Sequence, residues 1–548
     1  MVTLRTNLSG ISGTTLILGS AVGLLLTNYT FLTLTVQAYP WSVSHALYLL
    51  SVVVLLGCVN TLILATLCNR YTIKPVIMLV FLIAAALAYF MDTYQVIIDD
   101  MLLESILRTD SRESSDLFNL RFILYFVLLG VIPAIIVGLI PLKRKPFRQE
   151  VKSRLLLVSG AFGLMVLTLV SFGNFYASYF REHKSLRYYA NPSYFVYSVG
   201  YFLGNHLPSE PPEFVALGED AHVSHTPNKH NLVILVVGET ARADRFSLNG
   251  YMRDTNPELQ NQQLYSFTNM WSCGTTTATS VPCMFSMSGH DDFDLGSVPY
   301  TENVLDVIHH AGVNVLWRDN NSDSKSVALR VDYQPYMDEG VNLHCDTECR
   351  DEGLLDGLQS YIDAHAEGDV LIVLHQMGNH GPAYYKRYPD DFERFTPVCK
   401  TNLLESCSDE EIDNAYDNAI LYTDHFLAQV IGLLKQNTAD HQTAMLYVSD
   451  HGESLGENHL YLHGMPYLIA PREQKHIPML LWLDSDSEFG HQAQTVLPAM
   501  LDDEFTHDNI AHTLLGLLDV QTDVYDQNLD ILHFPVNPTS NRLQASHP

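Results

Sequence analysis

Between Arg5 and Arg70 the chain has no Asp, Glu, Lys or Arg, a charge-free run too long for any exposed segment of a soluble protein. That absence places the first third of the chain in a membrane. Basic residues are scarce overall, 31 against 61 acidic ones, for a formal charge of −30. Phosphate neutralisation needs clustered Lys and Arg, so no nucleic-acid partner is expected. No CxxC spacing occurs among the eight cysteines, which argues against zinc knuckles. Neither an internal repeat nor a low-complexity tract is present. A length of 548 residues is several times the usual span of one domain, so at least two folding units are expected.

The residues Tyr39-Pro40-Trp41-Ser42 suit a lipid–water interface and divide the charge-free run into candidate spans at 14–36 and 45–68. Uncharged stretches at 75–91, 122–142 and 155–180 bring the expectation to five spans in a membrane domain of residues 1–180. Arg5, Arg70, Lys74 and the cluster Lys143, Arg144, Lys145, Arg148, Lys152 and Arg154 share one side, which is the cytoplasmic side because short loops retain Lys and Arg there. The opposing loop holds Asp92, Asp99, Asp100, Glu104, Asp110, Glu113 and Asp116 against only Arg108, Arg112 and Arg121. Five spans that begin inside end outside. Residues 181–230, with Leu207-Pro208-Ser209-Glu210-Pro211-Pro212, read as a linker with interfacial aromatic segments, and 231–548 as an external domain. In an oxidising compartment Cys273/Cys283, Cys345/Cys349 and Cys399/Cys407 read as three local disulfides.

From Asn231 short apolar runs at 232–237, 313–317, 370–374, 444–448 and 478–483 alternate with helical segments, the pattern of an α/β layer fold. Two of these runs lead into Gly238-Glu239-Thr240 and Ser449-Asp450-His451-Gly452-Glu453. Ligands of open α/β sheets gather beyond the carboxyl ends of the strands, so Glu239, Asp450 and His451 can converge. Two carboxylates and an imidazole suit a catalytic zinc with an open position. Either acid taken alone reads equally as a helix cap. Between them lies Cys273-Gly-Thr-Thr-Thr-Ala-Thr-Ser-Val-Pro-Cys283, where a threonine at a helix start could serve as a nucleophile or simply as an N-cap. Position alone does not choose among Thr275, Thr276, Thr277 and Thr279.

The segments GETARADRFSLNGY from Gly238, CGTTTATSVPCMFS from Cys273, NHGPAYYKRYP from Asn379 and SDHGESLGENHLYLHG from Ser449 resemble the lipid A phosphoethanolamine transferases. That family includes the mobile colistin-resistance enzymes and lies within the alkaline phosphatase/sulfatase superfamily. The resemblance covers essentially the whole chain. It implies a five-helix transmembrane domain followed by an α/β/α alkaline-phosphatase-like periplasmic domain, in the inner membrane of a Gram-negative bacterium, and a monomer is expected. By the same resemblance Thr277 is the nucleophile, and Glu239, Thr277, Asp450 and His451 surround one tightly held zinc. His380 and His463 stand near the donor phosphate, able to bind a second zinc or to move a proton. Asn321, Ser322 and Lys325 match a phosphate-binding segment, although a solvated polar loop looks the same, and Glu453 would orient His451 or meet the ethanolamine amine. In the outward loop Ser105, Thr109 and Glu113 would share a helical face lining the donor lipid, with Ser105 in place of the family's usual Asn.

The implied reaction moves phosphoethanolamine from phosphatidylethanolamine to Thr277, releases diacylglycerol, and passes the group to a lipid A phosphate. The added amine weakens the attraction of lipid A for cationic peptides such as polymyxins. Transfer to lipopolysaccharide core or another glycan, or a phosphoglycerol transferase of the lipoteichoic-acid type, are the alternatives. A sulfatase fits less well because no C/S-x-P-x-R segment occurs, and a non-catalytic receptor would be expected to have lost a ligand or the nucleophile.

Overall fold

The computed structural model describes residues 10–99, 102–103, 105–106, 117–143, 145–206, 213–224 and 229–533. The chain separates into two compact units, Met1–Leu103 with Leu117–Leu207, and Glu104–Asp116 with Pro208–Pro548.

The first unit is helical. Four helices are long and apolar enough to cross a membrane: His45–Leu67, Ile73–Tyr94, Leu120–Leu139 and Phe147–Ser171. A fifth span forms if the pair Gly13–Thr27 and Tyr29–Ala38, bent by 65°, counts as one. The bend is satisfied by side chains, because breaking a helix in lipid frees backbone groups that need new partners. Asn28 Nδ2 donates to the Leu24 carbonyl at 2.9 Å and to the Asn191 carbonyl at 2.7 Å. Asn191 Nδ2 in turn donates to the Thr27 carbonyl at 3.0 Å and to the Ala84 carbonyl at 2.8 Å. Leu155, Leu164, Leu167 and Val170 are exposed, as lipid-facing residues should be. The last span begins earlier than the charge-free stretch from 155, since Arg148, Lys152 and Arg154 lie inside its first turns. Within 181–230 a 3₁₀ segment Lys184–Tyr189 and a helix Ser193–His206 belong to this unit.

The second unit is built on an eight-stranded sheet. In chain order its strands are β1 (His230–Gly238), β2 (Leu264–Trp271), β3 (Asn314–Asp319), β4 (Asp332–Pro335), β5 (Val370–His375), β6 (His441–Ser449), β7 (His476–Leu483) and β8 (Phe505–Thr506). Across the sheet the order is β8-β2-β7-β6-β1-β5-β3-β4. All neighbours pair in parallel except β7, which runs antiparallel to both β6 and β2. The central strands β1, β5 and β6 are almost wholly buried, and strands covered on both faces read as continuous Val, Ile and Leu runs. One face carries a core of Val233, Leu235, Phe285, Leu305, Trp317 and Leu514, supplied in part by the helices Thr277–Phe285, Val304–His310 and Asp508–Leu517. The helix Asp409–Gln436 packs against β6. Its start is fixed by a capping box between Ser408 and Glu411, a motif typically worth about 1 kcal/mol. Three disulfides join Cys273 to Cys283, Cys345 to Cys349 and Cys399 to Cys407, while Cys58 and Cys68 are free and buried.

Candidate active site

The register of the central strands builds the site. Gly238 at the end of β1 pairs with Ser449 at the end of β6, so Glu239 and Asp450 leave adjacent strands side by side. The Asp450 N–H donates to the Gly238 carbonyl at 2.9 Å. One Asp450 oxygen, Oδ1, accepts from the backbone N–H groups of Thr240 at 3.1 Å and His451 at 2.7 Å. The other, Oδ2, is buried with no hydrogen-bond partner among the described residues and lies 3.3 Å from His451 Nε2. His451 Nδ1–H donates to the Gly452 carbonyl at 2.9 Å, which leaves Nε2 unprotonated and facing the carboxylates. Glu239 Oε1 is 3.7 Å from that nitrogen. The three residues are fully buried, and burial pushes the His451 imidazole down to about 4, partly offset by Asp450.

This donor set fits a zinc ion. Ligand atoms of Glu239, Asp450 and His451 all lie within 4.8 Å of one another. A buried acceptor left unsatisfied costs about 1–3 kcal/mol, more where the group is charged, and a cation meeting Asp450 Oδ2 would remove that cost. Two oxygens and a bare imidazole nitrogen are also the ligand types zinc selects.

Thr277 is the first residue of the helix Thr277–Phe285. Its Oγ1 donates towards Glu239 Oε2 at 3.1 Å and lies 3.3 Å from His451 Nε2. Neighbouring hydroxyls are committed elsewhere. Thr275 Oγ1 donates to the Met465 carbonyl at 2.7 Å, and Thr276 Oγ1 donates to Thr279 Oγ1 at 3.2 Å.

Beside this group stand His463, its ring centre 4.3 Å from that of His451, and His380, 5.7 Å from His463. Glu453 contacts His463 Nδ1 at 3.3 and 3.4 Å. The carboxylate next to the ligand turn therefore meets His463 rather than His451. Burial raises the Glu453 carboxyl while His463 opposes the rise. Burial, together with Arg387 and the neighbouring histidines, holds His380 well below its ordinary value, so it is neutral. Its Nδ1 finds no hydrogen-bond partner among the described residues.

Asn321 Nδ2 donates to Glu239 Oε2 and to the Gln376 carbonyl, each at 2.8 Å, and its Oδ1 accepts from the Ser322 N–H at 2.7 Å. Its amide is thus engaged by the candidate metal ligand. Lys325 Nζ donates to Ser322 Oγ and lies 3.5 Å from Asp323. Gly378 adopts φ +50°, and a Cβ there would fall 2.9 Å from the Glu239 carbonyl oxygen, so glycine is needed where this loop covers Glu239. Ser105 lies half-buried in a helical turn. Thr109 and Glu113 lie outside the described residues.

Two residues that hold the site carried no sequence signal. Gln474 donates to the Leu462 carbonyl at 3.0 Å and to Ser454 Oγ at 2.9 Å, and accepts from the Met465 N–H at 3.2 Å, thereby fixing both ends of the loop that carries His463. His507 lies behind the ligand turn, fully buried.

Known proteins resemble the chain through both units. The family profile "Phosphoethanolamine transferase EptA/EptB" matches residues 56–207, and "Sulfatase" matches 231–520. The chain is 43% identical over 524 residues to phosphatidylethanolamine transferase Mcr-1 of Escherichia coli, covering 92% of this chain and 95% of that one. It is 40% identical over 518 residues to phosphoethanolamine transferase EptA of Escherichia coli strain K12, covering 92% and 93%. The integral membrane lipooligosaccharide phosphoethanolamine transferase A of Neisseria meningitidis superposes with a TM-score of 0.91 at 32% identity, over 96% of this chain and 99% of that one. With that identity sustained through both the membrane helices and the domain that gathers Glu239, Thr277, Asp450 and His451, the chain belongs to the phosphoethanolamine transferase family.

Proposed function

We propose that this protein transfers phosphoethanolamine from phosphatidylethanolamine to a lipid A phosphate in two displacements through Thr277. It would act at the inner membrane with its catalytic domain in the periplasm. The observation that carries the reading is the placement of Thr277 Oγ1, at a helix start and 3.1 to 3.3 Å from Glu239 and His451, within the only described cluster of metal-type ligands. Zinc held by Glu239, Asp450 and His451 would lower the hydroxyl pKa and stabilise the phosphoryl oxygens.

In the first displacement Thr277 Oγ1 attacks phosphorus, its proton passing to a nearby acceptor, and the ester bond to diacylglycerol breaks. The helix N-terminus adds a favourable dipole for the negative charge that develops. His463, held by Glu453, would give the proton to the departing oxygen, while the neutral His380, its Nδ1 unpartnered among the described residues, would accept one. In the second, a lipid A phosphate oxygen attacks the Thr277 phosphodiester and Thr277 Oγ1 leaves as a hydroxyl, its proton returned. Both lipids keep their tails in the bilayer, which accounts for the fused membrane helices.

The test is mass spectrometry of lipid A from cells expressing the protein. The parent should add one phosphoethanolamine and protect against polymyxin, while Thr277→Ala should do neither yet remain folded in the membrane. A folded Thr277→Ala that still modifies lipid A refutes the nucleophile assignment.

A further inference from the structure

His507 follows β8 directly and lies far in sequence from both halves of the site, yet it touches the start of the nucleophile loop and the end of the ligand strand. Its Nδ1 accepts from the Cys273 N–H at 3.1 Å, and its Nε2–H donates to the Ser449 carbonyl at 3.0 Å. Its backbone N–H donates to the Trp271 carbonyl at 3.1 Å. A backbone N–H can only donate and a carbonyl can only accept, so the two contacts fix the tautomer and require an imidazole that is both donor and acceptor. Cys273 is four residues before Thr277, and Ser449 is immediately before Asp450. The disulfide to Cys283 ties the nucleophile helix to the same anchor. A parallel link runs from Ser280 Oγ, inside that helix, to the Asp450 carbonyl, with Ser280 Oγ 3.3 Å from His507 Nδ1.

We infer that His507 is a positioning residue that sets the nucleophile helix against the metal-ligand turn, fixing Thr277 Oγ1 relative to His451 without contacting either lipid. The inference rests on Thr277 being the nucleophile. Reacting atoms must be held near contact distance, and displacements of about 1 Å can cost on the order of 100-fold in rate. His507 therefore acts on the chemical step and not on donor binding.

The test uses the full-length enzyme with three variants. His507→Phe fills the space and removes both contacts. His507→Asn keeps an acceptor near Nδ1, and His507→Gln keeps a donor near Nε2. Zinc content, melting temperature, donor KM, kcat and the site of the phosphoryl group on the trapped enzyme are measured for each. The expected result is a fall in kcat of roughly 10- to 100-fold for His507→Phe, with donor KM and zinc content unchanged, and partial recovery in the Asn and Gln variants. A zinc-loaded His507→Phe enzyme with kcat within about twofold of the parent overturns the inference. Activity lost only in proportion to folded protein, with no recovery by either amide, also overturns it, because that is a purely structural role. A phosphoryl group mapped in the parent to a residue other than Thr277 refutes the proposed function instead, and this inference with it.

Discussion

Replacing Asn321 by Leu tests whether that residue serves the metal ligand or the donor phosphate. The substitution keeps most of the volume and removes the amide's contacts with Glu239, the Gln376 carbonyl and Ser322, of which the 2.8 Å bond to Glu239 Oε2 is charge-assisted. A hydrogen bond to a charged group is worth about 1.5–3 kcal/mol, which at 1.4 kcal/mol per tenfold corresponds to roughly 10- to 150-fold in an equilibrium constant. Loss of a residue that orients a metal ligand typically weakens metal binding by about 10- to 100-fold, so the two estimates agree. Zinc affinity of Asn321→Leu, measured by competition with a chelator, should therefore fall by one to two orders of magnitude. Asn321→Asp should bind zinc better than Asn321→Leu, while its metal-free form is less stable because two carboxylates then face each other in a buried site. If Asn321→Leu binds zinc like the parent and instead raises the donor KM, the Glu239-orienting role is wrong and the phosphate-binding role suggested by the loop sequence is right.

Three further outcomes are expected. Gly452→Ala should lose zinc and transfer, because a Cβ there would fall 2.0 Å from the Glu473 carbonyl oxygen, whereas Gly432→Ala in the helix Asp409–Gln436, with nothing within 4 Å, should be neutral or stabilising by up to about 1 kcal/mol; equal behaviour of the two in zinc and activity assays refutes the steric argument. Cys399→Ser with Cys407→Ser should lower stability to urea by about 2 kcal/mol, the low end for so short a loop, and an unchanged midpoint would show that the bridge contributes nothing. The cluster Glu258–His425–Glu352, with contacts of 2.8 and 3.3 Å, raises His425 to about 9, chiefly through Glu352, and lowers Glu352 to about 2, chiefly through His425. Stability from His425 is then complete below its ordinary 6.5 and fades as pH rises through 9, while that from Glu352 is complete above 4.5 and fades as pH falls through 2; the melting-temperature difference between parent and His425→Gln should be greatest between these ordinary values, and a flat difference refutes the pairing.

What the sequence made legible followed from chemistry concentrated locally. β1, β5 and β6 were readable because strands buried on both faces need unbroken apolar runs, and the convergence of Glu239, Asp450 and His451 was readable because they come immediately after such runs. β2 was not, since Leu264-Tyr-Ser-Phe-Thr-Asn-Met-Trp mixes polar and apolar residues, and β4 and β8 are short strands at the two sheet edges. The charge-free run revealed membrane helices but not the 65° break near Asn28, because the groups that make the break tolerable come from Asn191, 163 residues away. The different directions of the threonine hydroxyls were likewise hidden. Thr275 and Thr276 differ from Thr277 only in where their hydroxyls point, and the Met465 carbonyl that claims Thr275 is 190 residues distant. His507 and Gln474 escaped for a related reason. They act on backbone N–H and carbonyl groups, which every residue offers, so their partners leave no mark in the side-chain sequence. The reacting groups of such a site can be read from motifs, whereas the distances between them are set by residues whose contacts are with the main chain, and those are visible only once the chain is folded.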